Sequence, residues 1–140
     1  MVFRPDAVQA RLLRLEEVIS ELQELGRLDP GERQGQRRTM WAVERGLQLG
    51  AEILFDIGNH ILSARFGVSP DDYKDIVEQL AAQGILNEEL RNRLRGLAGF
   101  RNILVHDYLR LDPERVEEAL TRAPRDFSDF AHAIRRWLEG

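Results

Sequence analysis

Seven positions of this chain, Met40, Val43, Leu47, Gly50, Leu54, Ile57 and Ile61, recur with a mean step of about 3.5 residues. Such a stripe cannot lie on one face of a strand, where the side-chain period is two. It is the pattern of a long helix packed nearly antiparallel to its neighbours. Val8, Leu12, Leu15, Ile19 and Leu22 repeat the theme nearer the N-terminus. Pro5 suits the first turn of that helix, and Gly26 with Leu28-Asp29-Pro30-Gly31 ends it. No alternating β-branched run is long enough to compete.

The remaining boundaries follow from caps. Ser69-Pro70-Asp71-Asp72 reads as an N-cap, a proline at the first helical position and a capping acid, opening a third helix with Tyr73, Ile76 and Leu80 that stops at Gly84. Asn87, followed by Glu88 and Glu89, caps a fourth helix whose apolar stripe is Leu90, Leu94, Leu97 and Leu104. Asp112-Pro113-Glu114 starts a fifth. Pro124 breaks it or starts a sixth, bearing Phe127, Phe130, Ile134 and Leu138. The expectation is all-α: one antiparallel bundle of about five to six helices in a single domain, residues 1–140, dimerising through the bundle. Gly46, Gly50 and Gly58 inside the long helix each cost about 1 kcal/mol against alanine, so close approach of another helix backbone, within the chain or across a dimer interface, is expected there.

Composition limits the functions open to such a bundle. No apolar run approaches the roughly 20 residues needed to cross a bilayer, and the N-terminus lacks a signal-peptide layout. Without cysteine there is no disulfide framework or thiolate metal site. A cytoplasmic protein without membrane contact is expected. A net charge of −4 argues against a general nucleic-acid coat protein. The positive charge, however, is nearly all arginine. Arg91, Arg93, Arg95, Arg101 and Arg110, with Arg33, Arg37 and Arg38, form either a solvated face or a local basic groove.

Chemistry concentrates in Arg101-Asn102-Ile103-Leu104-Val105-His106-Asp107-Tyr108. Arginine presents a planar fork that suits phosphate oxygens, and histidine exchanges protons near neutral pH. Together they equip a chain to cut a phosphodiester without a metal. On one continuous helix, Arg101 and Tyr108 would lie within about 20° of each other, and Asn102 and His106 within about 40°. The two pairs are offset, so one straight helix does not focus arginine and imidazole. Either the helix distorts near His106, or a second copy supplies the facing residues. His106 would then remove the proton of a ribose 2′-hydroxyl, while Arg101 stabilises the charge on the attacked phosphate. Asn102 orients the imidazole or holds a phosphate oxygen; Asp107 orients His106 or caps the helix. His60 and His132 read as structural or surface residues. Three scattered histidines without clustered carboxylates disfavour a zinc site, and no cofactor is expected.

The segment Gly99 to Tyr108 resembles the signature of the HEPN superfamily, and within it the HepT-like toxins with their Arg-x4-His-x-Tyr motif. Ala42 to Gln48, Asp56 to Ile61, and Ser69 to Ile85-Leu86 are similar to the family's preceding helices, so the likeness covers about residues 40 to 116. It implies a dimeric, metal-independent ribonuclease of a toxin–antitoxin pair (the HepT–MntA arrangement, type VII-like), with RNA as substrate and the cleft at the dimer interface. It further implies a small nucleotidyltransferase antitoxin as partner, Tyr108 as the residue that accepts AMP from it, and Glu44 or Arg45 as a brace of the cleft. Without the resemblance, Glu44-Arg45 reads as a surface ion pair worth under about 1 kcal/mol. The other readings are a catalytically silent, nucleotide-binding or regulatory partner of a nucleotidyltransferase, and a purely structural helical dimer.

Overall fold

The computed structural model describes residues 2–140, and every described element is helical. Seven α-helices run α1 Pro5–Gly26, α2 Pro30–Gln34, α3 Arg37–Phe66, α4 Tyr73–Ala82, α5 Glu88–Leu94, α6 Leu97–His106 and α7 Pro113–Glu139, with a 3-10 turn at Tyr108–Arg110. None of the described helices is long and apolar enough to cross a membrane.

Both sequence stripes are buried as expected: Val8, Leu12, Leu15, Ile19 and Leu22 of α1 face Val43, Leu47, Leu54, Ile57 and Ile61 of α3. The two helices are antiparallel, since the chain beside Arg4 meets His60 and Leu22 meets Gly46. Helix α7 completes a three-helix core with Phe127, Phe130 and Ile134. It departs from the antiparallel expectation: Phe127 packs on Gly50 and Trp137 on Phe66, so α7 runs parallel to α3. Of the short helices between them, α4 and α6 pack on α3, while α5 packs on α4 and α7.

The glycines inside α3 do mark close approach, but by side chains of neighbouring helices rather than by a helix backbone, and within one chain. A Cβ at Gly50 would meet the Phe127 ring at 2.4 Å, and one at Gly58 would meet Ile76 at 2.5 Å. The Phe127 ring is buried against α3, so an added methyl group must displace it. Overpacking of about 1–3 kcal/mol therefore outweighs the roughly 1 kcal/mol of helix propensity that alanine would add.

Four boundaries differ from the sequence reading. Asp29-Pro30 ends α1 but also starts α2, the Asp29 carboxylate accepting the N–H groups of Gly31 and Glu32. The N-cap of α4 is Asp72 rather than Ser69; Asp72 accepts the Asp75 N–H at 2.8 Å, while the Asp75 carboxylate reaches back to the N–H of Asp71, the residue before the cap, at 3.0 Å. The expected fourth helix is two helices: Arg95 N–H bonds the carbonyl three residues back, Asn92, and Gly96 stands as the N-cap of α6. A weak helix former at that junction makes the interruption inexpensive. Conversely, α7 passes through Pro124 unbroken. The missing N–H costs about 3 kcal/mol. That is offset by a face of nine buried residues from Val116 to Ile134.

Candidate functional site

Helix α6 places Arg101 inward and His106 at its last turn. On ideal geometry they lie about 140° apart around the axis. The Arg101 side chain is 13% exposed and held on three sides. Its Nη2 pairs with Glu52 Oε1 of α3 at 3.4 Å, and its Nη1 donates to Asn102 Oδ1 at 3.3 Å. The guanidinium also lies 4.6 Å over the Tyr73 ring, which itself stacks on Phe55. Gln48 Nε2 donates to the same Glu52 oxygen at 3.2 Å. Arg101 Nε is buried without a partner. The arginine is thus aimed and braced rather than free.

Asn102 and His106 are exposed and share a face of α6, as their spacing required. The helix then stops. Asp107 leaves the helical region (φ −130°, ψ 44°), and its carboxylate accepts from Arg110 at 3.1 Å rather than from His106. Of its two expected roles, the structure favours the helix terminus. Tyr108 therefore does not share the Arg101 face of a continuous helix. It sits in the 3-10 turn, 67% exposed, beside Leu109 at 91%.

Glu44 and Arg45 form no hydrogen bond or ion pair among the described residues, with each other or with Arg101. Glu44 is half-buried, and that desolvation pushes its carboxyl above the ordinary range. The contact to Arg101 comes instead from Glu52, two turns further on, together with Tyr73. The sequence carried one signal for this, that an arginine at the edge of an apolar stripe needs a partner. Nothing local said which carboxylate would answer.

The expected arginine cluster also resolves. Arg91 and Arg95 pair with Glu78, Arg93 with Asp126 at 2.6 Å and Asp129 at 2.8 Å, Arg110 with Asp107, and Arg33 with Glu117. Most of these arginines are inter-helix braces, neither a solvated face nor a free groove. Arg37 and Arg38 are exposed and have no carboxylate partner among the described residues. His60 is structural: its Nε2 accepts the Arg4 N–H at 3.1 Å and its ring stacks on Phe3. His132 is exposed. Among the described residues no three His, Cys, Asp or Glu side chains are grouped to hold a metal ion.

Known proteins match this arrangement. The ribonuclease HepT-like family model covers residues 15–134. The tRNA nuclease HepT of Aphanizomenon flos-aquae is 34% identical over 97 residues, 69% of this chain and 65% of that relative. The mRNA nuclease HepT of Shewanella oneidensis is 32% identical over 94 residues, 67% of this chain and 71% of the relative. The match thus spans slightly under two thirds of the first relative's length. In fold, the chain superposes with a TM-score of 0.86 on the tri-AMPylated HEPN toxin of Shewanella oneidensis solved in complex with MNT antitoxin. The identity there is 25%, over 95% of this chain and 99% of that one. With the family model spanning most of the chain and the arginine and histidine of the motif both on α6, the protein belongs to the ribonuclease HepT-like family.

Proposed function

We propose that residues 1–140 act as one domain, a metal-independent endoribonuclease toxin in which Arg101 and His106 perform the chemistry. The observation that carries this reading is the contrast on α6. Arg101 is fixed by Glu52, Asn102 and Tyr73, while His106 is exposed with no hydrogen-bond partner among the described residues. A preorganised cation and an unencumbered base are what 2′-hydroxyl attack requires. His106 takes the 2′-hydroxyl proton and the 2′-oxygen bonds to phosphorus. The 5′-oxygen departs with a proton from the His106 of a second copy or from water. DNA lacks the 2′-hydroxyl and is not cut.

The same geometry supports a homodimer. The 140° divergence keeps one chain from focusing both groups on one phosphate. Around His106, the half-buried Ile103 and Val105 and the exposed Leu109 offer an apolar surface for a second copy. The nuclease names of the relatives support RNA as substrate. The test is cleavage of RNA by the purified protein in EDTA, leaving 2′,3′-cyclic phosphate ends; dependence on added divalent metal would overturn the reading.

The neighbour solved with an antitoxin supports control by a cognate nucleotidyltransferase. Tyr108 is the proposed AMP acceptor, since its ring stands in solvent on a turn outside the helix. An adenylyl group there adds negative charge and bulk two residues from His106, where RNA must enter. Tyr108→Phe is expected to keep ribonuclease activity while losing neutralisation by the antitoxin. AMP transfer to another residue with neutralisation intact would refute the assignment.

A further inference from the structure

The geometry points to an RNA-strand site on the outer face of α3, built from Trp41 with Arg37, Arg38 and Arg45. The proposal rests on the ribonuclease reading and extends it to how substrate is held. At 100° per residue, Arg37, Trp41, Arg45, Gln48 and Glu52 all fall within about 40° of the Trp41 direction, with Arg38 at about 60°. This face is opposite the buried stripe of Val43, Leu47 and Leu54. Further along, α6 lies over it, through the Arg101–Glu52 pair. The first turns of α3 are left bare. Trp41 is 62% exposed there, and Arg37, Arg38 and Arg45 are exposed around it.

Two features separate this patch from an ordinary surface. The three arginines have no carboxylate partner among the described residues, whereas those around α5 and α6 are paired. The scattered Arg11, Arg65, Arg115 and Arg136 share that state, but only here do three such arginines share the turns around one exposed indole. Arg37 and Arg38 also stand in the first turn of a helix with no acidic residue there and no side-chain cap, where the helix dipole disfavours cations. Positive charge is thus kept where the fold alone would not place it. Uncompensated guanidinium groups around a solvent-facing indole suit a single RNA strand, with a base stacked on the ring and phosphates on either side. A second copy is the poorer occupant, because self-contact across a two-fold axis would bring these unpaired cations together. The strip ends at Glu52, and so at Arg101, about 16 Å along the helix from Trp41.

The test uses the His106→Ala protein, which holds RNA uncut, titrated with a short single-stranded oligouridylate. Saturable quenching of tryptophan fluorescence is expected, and Trp41→Ala in that background should remove it, because Trp137 is packed against Phe3 and Phe66. Affinity should fall roughly 10- to 100-fold in Trp41→Ala, and the Arg38→Glu/Arg45→Glu pair should weaken binding and flatten its salt dependence. Unchanged affinity in all these variants would overturn the site. So would a change of oligomeric state in Trp41→Ala with RNA affinity per chain unaltered, which would assign the face to copy-to-copy contact. RNA binding at Trp41 by a wild-type chain that cuts no RNA would sink the ribonuclease reading and leave this site standing.

Discussion

Replacing His106 with alanine is expected to lower the rate of RNA cleavage by about 10²–10⁴-fold, the contribution of a positioned general base, and to remove any growth arrest that the wild type causes on expression. The readout is clean because the imidazole is exposed and makes no hydrogen bond among the described residues, so folding should change by less than about 0.5 kcal/mol. A variant with wild-type melting temperature and undiminished cleavage would remove His106 from the mechanism. Arg101→Ala is less informative alone. It takes away a cation over Tyr73 and leaves Glu52 and Asn102 without their guanidinium, so lost activity must be read beside a melting curve. Glu52→Gln separates the two roles: it keeps the shape and an acceptor for Arg101 but removes the charge that competes with phosphate.

What the sequence revealed and concealed divides along a physical line. The α1 and α3 stripes were legible because helical periodicity is local, and Gly50 announced a close neighbour because a glycine inside a long helix needs a reason. The identity of that neighbour, Phe127, lies 77 residues away and has no local mark. Pro124 misled because a missing N–H is a local cost, while the burial that outweighs it is collected along all of α7. Arg101 shows the same division. That it needs a partner follows from the apolar residues around it, but choosing Glu52 over Glu44 depends on where α6 crosses α3. The arginines misled in the opposite way. A run rich in one charge suggested a surface for ligands, yet most are spent on carboxylates of other helices, and the bare ones sit at the start of α3.

Arg33→Ala is expected to be the most destabilising single change among these arginines. The residue is 5% exposed on the short helix α2. Its Nε and Nη2 grip Glu117 of α7 at 3.0 and 2.5 Å, and its Nη1 donates to the carbonyls of Leu25 and Leu28 at 3.1 and 2.5 Å. One side chain therefore closes the end of α1, fixes α2 and ties both to α7. Removing it leaves a carboxylate in a poorly solvated position facing no cation, a loss of about 3–5 kcal/mol. That is a large part of the 5–15 kcal/mol that holds an ordinary domain together, and it corresponds to a fall of roughly 10–15 °C in melting temperature for a chain of this size. Arg33→Lys should lie between, because an ammonium cannot form the forked contact. The pH dependence gives a second check. The hydrogen bonds from Arg33 hold the Glu117 carboxyl below its ordinary value, so the pair's contribution is complete above the usual carboxylate range and drains away as pH falls through that depressed value. In Arg33→Ala the carboxyl loses its cation and keeps its burial, so acid relieves the variant while it weakens the wild type. The gap between the two melting curves should narrow from pH 7 toward pH 3; a gap that stays constant would show that packing, not the ion pair, sets the loss.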